Sequence, residues 1–188
     1  KDMKIIDKIK AFVGENGLKF LHDSVLPRSL FGIESDFTDT YAGDIELYSE
    51  AKAYDYDRKI KILTNDRPGP GGRSRWFVID KEAVRQNTKY VSEWQVVVSS
   101  AHPGGQDGRD NQLEIADNHS AFGRARVALK SFRTEEEAVN FKKYVSSDII
   151  RFAFLMSDES LSSLAKLVPD ILDYKSSNRW FDFTGDID

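Results

Sequence analysis

The 188-residue chain has no cysteine, only 3 histidines and only 2 methionines. Without cysteine there are no disulfides, no thiolate nucleophile and no Cys-ligated zinc. The histidines His22, His102 and His119 lie far apart, and none falls in a metal-ligand spacing such as His-x-x-x-His. There is no Gly-x-Ser-x-Gly elbow. The glycines of Gly69–Gly72 lack the Gly-Lys-Ser/Thr ending that grips a nucleotide phosphate. No apolar run approaches the roughly 18–20 residues of a membrane span, and no signal-peptide pattern is visible. These absences lead to the expectation of a soluble, cytoplasmic domain with no membrane partner. The opening Lys1-Asp2-Met3 reads as a domain, residues 1–188, cut from a longer protein.

The composition is globular: 40% apolar, 12% aromatic and 31% charged residues, with more aromatics than a disordered chain carries. The net charge of −4 conceals a strong division. Residues 1–57 hold 7 basic and 12 acidic side chains, whereas residues 58–133 hold 14 basic and 8 acidic, a net of +6. A global polyanion binder is disfavoured, but a module with basic loops gathered on one face is not.

Periodicity gives an α+β expectation: a mixed, mainly antiparallel β middle flanked by N-terminal and C-terminal helices. Ile5, Ile6, Ile9, Phe12 and Val13 form one helical stripe, and Leu18–Leu21 opens a second short helix, giving a helical lead-in over 1–25. A β-rich core over 40–131 follows. Its expected strands are Asp44–Tyr48, Lys59–Leu63, Arg75–Ile79, Trp94–Ser99, Gln112–Ile115 and Arg124–Leu129. Asp80 is expected to cap a short helix through about Gln86. Proline and glycine make 65–75 and 102–109 long loops, and Asp117–Ser120 a polar turn. Thr134 with Glu137 is a capping box that starts a helical part over 134–168, with a third helical piece at Leu161–Ala165 ended by Val168-Pro169.

Catalytic chemistry is sparse. The pairs Asp44/Glu46 and Asp55/Asp57 share a face if extended and could hold a hard cation, although exposed strand carboxylates are commoner. Pro169-Asp170 followed by Asp173 and Lys175 echoes a metal-nuclease pattern. That chemistry needs its groups on separate elements converging on one ion, which seven consecutive residues after a helix do not provide.

What the +6 segment does offer is Arg, Asn, Gln and Ser on loops. Arg reads guanine and Asn or Gln reads adenine through paired hydrogen bonds, while Lys holds phosphates. The candidates are Arg67, Arg73, Ser74 and Arg75 in one loop, and Gln106, Arg109, Asn111 and Gln112 in the next. Asn118, Ser120, Arg124 and Arg126 form a third group, with Lys59, Lys61 and Lys89 as phosphate contacts. Any one of these alone is an ordinary solvated side chain. Three such loops in one basic segment are more informative.

The order of several pieces carries a resemblance. Ile5-Ile6-Asp7-Lys8-Ile9 comes first, followed by Leu26-Pro27-Arg28-Ser29-Leu30-Phe31-Gly32-Ile33 with Phe37, and then Ile45-Glu46-Leu47-Tyr48. Asn87-Thr88-Lys89-Tyr90-Val91, running on to Trp94-Gln95-Val96 and Ser99-Ser100-Ala101, comes next. Phe132-Arg133-Thr134-Glu135-Glu136-Glu137-Ala138, Arg151-Phe152, Val168-Pro169 and Trp180-Phe181-Asp182 close the series. In this order the chain resembles the C-terminal target-recognition region of restriction–modification adenine-N6 DNA methyltransferases, some of which are fused to a nuclease. It differs in carrying Phe122-Gly123-Arg124-Ala125-Arg126-Val127 where the family has a Cys-Thr-Glu-Thr-Tyr-like strand, and in lacking the Leu-rich ending after Trp180.

The resemblance implies double-stranded DNA as partner and a separate catalytic domain that binds S-adenosylmethionine. No (Asn/Asp)-Pro-Pro-(Tyr/Phe) catalytic tetrapeptide occurs here, so this chain would hold no catalytic residue, cofactor or metal. Two other readings stand beside it: a protein-interaction module of a larger assembly, and a small metal-dependent nuclease using Asp44, Glu46, Asp55 or Asp57.

Overall fold

The N-terminal stripe forms a helix because its apolar positions recur at the helical period and bury together. In a computed structural model that describes residues 2–100, 113–157, 164–171 and 173–175, this is α1 (Asp2–Glu15), with Ile9 and Val13 buried. A short strand β1 (Lys19–Phe20) and a 3-10 turn at Leu21–Ser24 follow, where the sequence suggests a second helix. The strand prevails because a segment far along the chain pairs with it. The brief helix α2 (Phe37–Thr40) precedes β2 (Glu46–Leu47), β3 (Lys59–Thr64), β4 (Arg75–Asp80) and β5 (Trp94–Ser99). Next come β6 (Glu114–Ala116), β7 (Ser120–Phe122) and β8 (Arg126–Phe132), then α3 (Glu135–Val145), α4 (Asp148–Met156) and β9 (Pro169–Asp170). The fold is α+β, with antiparallel-rich sheets and flanking helices. No helix among the described residues is long and apolar enough to cross a membrane.

Two sheets carry the β middle. One has the order β2-β4-β3-β7, antiparallel except for the parallel β3–β7 pair, and the other has the order β6-β5-β8, antiparallel throughout. The run Val96-Val97-Val98 is continuous rather than alternating because both faces of its sheet are covered. Val96, Val98, Val127 and Leu129 face the helices, packing with Phe141, Tyr144 and Ile150. Val97, Ala116 and Ala128 face the larger sheet, packing with Ile60, Ile62, Phe77 and Ile79. A register shift between Val96 and Val97 leaves β8 one residue longer at that step, and the alternation of faces survives it. The layers are therefore helices, small sheet, large sheet.

Local chemistry explains the ends of several elements. Thr134 accepts the Glu137 amide at 3.4 Å and its hydroxyl donates to the Glu137 carboxylate at 2.8 Å, so the expected cap starts α3. Thr134→Ala should lower stability by about 1 kcal/mol in a urea titration; a change within error would mean that the cap is idle. Asp80 does not cap the 3-10 turn Lys81–Ala83. Its carboxylate instead accepts Lys59 Nζ at 2.7 Å and Tyr41 Oη at 3.2 Å. The helical spacing after Val145 breaks between α3 and α4, where Ser147 Oγ donates back to Tyr144 O at 2.7 Å. Residues 161–163 of the expected third helical piece lie outside the described residues, and 164–167 form a turn.

The last described segment ties the two ends of the chain together. β9 pairs with β1, Lys19 opposite Asp170, and the Leu21 amide donates to Val168 O at 2.7 Å. Asn140 Nδ2 donates to Tyr174 O at 2.7 Å, and Tyr144 Oη donates to Pro169 O at 2.6 Å. Asp170, the nuclease-like aspartate, is buried and accepts hydrogen bonds from Lys130 and Tyr174. It is a structural carboxylate.

Candidate nucleic-acid interface

Strand direction decides which loops share an end of the molecule. β3, β5 and β7 finish at one rim of the layered sheets, and β4, β6 and β8 start there. Trp76 Nε1 donates across the two sheets to Glu114 Oε2 at 2.9 Å, which places the starts of β4 and β6 together. The β3–β4 connection (65–74), the β7–β8 connection (123–125) and the β5–β6 connection therefore all leave from the same rim. The first of the loops that the sequence singles out lies here and the second leaves from here, but the third group divides: Arg124 is at this rim, whereas the polar turn with Asn118 joins β6 to β7 at the other end.

The β3–β4 connection is a built hairpin. Asp66 fixes its base: the carboxylate accepts the Thr38 amide at 2.7 Å and the Thr64 hydroxyl. Arg67 Nη2 donates to Thr38 O at 2.9 Å, and the Arg75 guanidinium reaches across to Arg67 O at 2.8 and 3.0 Å. The tip closes through Gly69 N to Arg73 O at 2.9 Å. Gly71 and Gly72 take φ values of 72° and 74° there, a left-handed backbone that glycine adopts without a Cβ clash. Arg67 and Arg73 are exposed and Arg75 half-buried. Arg124, in the β7–β8 connection, is exposed and lies 3.3 Å from Glu34, an exposed pair that holds little energy.

The other candidates separate from this group. Lys59, Lys89 and Asn118 sit at the opposite end, before or at the start of β3, β5 and β7. Lys59 is paired with Asp80, whose hydrogen bond holds the lysine above its usual pKa and the aspartate below its own. Lys89 lies over the Tyr90 ring at 4.9 Å. A shallow cleft of about 530 Å³ at this end is lined by Asp57, Arg58, Asp80, Lys81 and Glu82 among others, a mixture of signs with no preference for a polyanion.

Lys61 projects from the large sheet between the Tyr48 and Trp76 rings, 4.9 and 5.3 Å from their centroids, and is ion-paired with Asp117. Its ammonium is enclosed, not offered to a phosphate. Ser120 is buried and donates to Asp117 at 2.7 Å. Arg126 and Ser74 are also buried, at 3% and 8% exposure, and bonded to each other. As folded, neither is a surface contact, which corrects their reading as DNA-touching groups. Gln106, Arg109, Asn111 and Gln112 lie outside the described residues.

Asp117 shows what the enclosure does electrostatically. Burial pushes its carboxyl upward, but hydrogen bonds from Lys61, Ser120 and the His119 amide outweigh this and hold it below the ordinary value. Its contribution is therefore present above the unfolded pKa of about 4 and is lost as pH falls through the lower folded value. Stability of Asp117→Asn should fall less steeply than wild type below about pH 4, read from urea midpoints at matched pH. Parallel curves would remove Asp117 from the acid response.

The carboxylate pairs do not assemble an ion site. Glu46 is ion-paired with Lys52, and Asp55 accepts the Asp57 amide at 3.1 Å. Among the described residues no group of three or more metal-ligating side chains converges. Sequence reasoning misses the supporting residues Glu34, Thr38 and Asp66. Only the spacing of Thr64 to Asp66, a local side-chain turn, could signal one of them. Comparison with protein-family models, with curated proteins and with solved structures finds no match.

Proposed function

We propose that this chain is a DNA target-recognition module that grips a duplex with the arginine-bearing rim, as part of a restriction–modification adenine-N6 methyltransferase. The observation that carries the reading is convergence: strand direction brings the Arg67–Arg75 hairpin and Arg124 to the one rim at which β5 also ends. The resemblance in order of sequence pieces supplies the enzyme class. Arg67, Arg73, Arg75 and Arg124 are the described contacts in this reading, while Lys59, Lys61, Lys89, Ser74, Asn118 and Arg126 are withdrawn from the contact surface. Methylating a base requires extruding it from the stack, and a domain gripping the duplex opposite the catalytic half would hold the rest of the site in place. S-adenosylmethionine would belong to that other domain.

The test is fluorescence anisotropy of the chain against a randomised duplex pool at about 50 and about 200 mM salt. Four phosphate-neutralising arginines predict a log–log slope of about −3 to −4. A slope near zero, or no binding at low salt by the parent protein, would contradict the reading. Salt-insensitive capture of another protein would favour the interaction-module reading instead.

A further inference from the structure

We infer that Arg126 and Ser74 form an internal tether that orients the basic hairpin and thereby governs sequence discrimination rather than duplex affinity; this rests on the DNA-binding reading above. Arg126 opens β8 and Ser74 immediately precedes β4. The Arg126 Nε and Nη2 atoms both donate to Ser74 Oγ, at 3.2 and 3.0 Å. The Arg126 amide closes the β7–β8 turn on Gly123 O at 3.0 Å, and its cross-strand partner is Ser99, the last residue of β5. One residue thus links the start of β8 to the residue before β4 and to the last residue of β5.

The chemistry suits a positioning role. A guanidinium is planar with fixed donor directions, so two of its donors on one hydroxyl set an angle as well as a distance. Ser74 lies between Arg73 and Arg75, and Arg75 in turn closes the hairpin on Arg67 O. Fixing the Ser74 hydroxyl therefore fixes the aim of its basic neighbours. Phosphate contacts tolerate a small pivot of such a hairpin, whereas paired hydrogen bonds to a base edge do not. Loosening the tether should blur which sequence is chosen while leaving the number of phosphates held unchanged.

The experiment selects a preferred duplex from a random pool with the wild-type chain, then measures affinity for that duplex and for the pool, each across salt. Ser74→Ala is expected to lower the preferred-to-pool affinity ratio about ten-fold, with pool affinity within about two-fold and the salt slope unchanged. Ser74→Thr, which keeps the hydroxyl, is expected to retain discrimination. Arg126→Lys, which keeps the charge but loses the fork, is expected to behave like Ser74→Ala. An unchanged ratio in Ser74→Ala overturns the tether while leaving the DNA reading intact. A slope reduced by about 0.9 in Arg126→Lys or Ser74→Ala overturns it in the other direction, since the variant would then neutralise one phosphate fewer. Absence of duplex binding by the wild type overturns the DNA reading and the tether together.

Discussion

Replacing Arg73 and Arg75 with alanine is expected to weaken duplex binding about ten-fold or more and to reduce the log–log salt slope by up to about 1.8, or about 0.9 for each phosphate that is no longer neutralised. If either arginine reads a base, one target position should also relax by about 1–3 kcal/mol. The two substitutions are not equivalent. Arg75 donates twice to Arg67 O, so its removal also loosens the hairpin base, whereas Arg73 is an exposed residue beside the tip. Arg73→Ala alone should reduce the slope by about 0.9. The matching double variant at the far end, Lys59→Ala/Lys89→Ala, should leave affinity within about two-fold, because those lysines face away from the rim and the Lys59 ammonium is already paired with Asp80. Equal losses from the two ends would mean that binding follows net charge and not the rim.

The second large effect is on stability. Lys130→Met should destabilise the chain by about 3 kcal/mol, because it takes the Lys130 ammonium away from a buried carboxylate. The two side chains are 19% and 5% exposed, so water screens the pair weakly. Tyr174 Oη would still donate to Asp170 at 2.8 Å, which keeps the expected loss at the lower end of the range for broken buried pairs. Lys130→Met/Asp170→Asn should recover part of the loss, since both charges are then gone. Urea unfolding of the three proteins reads this directly. A loss below about 0.5 kcal/mol in Lys130→Met would show that the C-terminal segment is not held by the pair.

How much of this is readable in the chain depends on the range of the forces involved. The α1 stripe, β4, β5 and the Thr134–Glu137 cap are legible because periodicity and capping act over a few residues. β7 is not read as a strand, its first residue Ser120 falling in the expected polar turn, because its pairing is with β3, about 60 residues earlier. β1 reads as helix because Lys19 and Phe20 find their partners only at Pro169 and Asp170. Asp80 looks like a cap in the sequence, yet Lys59, 21 residues away, claims its carboxylate. The candidate site shows the same division. Side-chain chemistry in the sequence marks the arginine-rich loops, and strand direction brings the β3–β4 hairpin and Arg124 to one rim while it sends Asn118 to the other. Nothing local distinguishes Arg126, buried on Ser74, from Arg124, exposed two residues before it. Both fall in the one strand that the sequence suggests, Arg124–Leu129, and the strand pairing of Arg126 with Ser99 begins two residues later than Arg124.

The absence of cysteine gives the most direct measurement of the central claim, that the arginine rim is the surface that meets DNA. Arg73→Cys, Arg124→Cys and Lys89→Cys each carry the chain's only thiol, which can be labelled with a short photo-crosslinker and irradiated with bound duplex. The account predicts covalent DNA adducts from positions 73 and 124 and none above background from position 89. Adducts from position 89 equal to or stronger than those from 73 and 124 would contradict it.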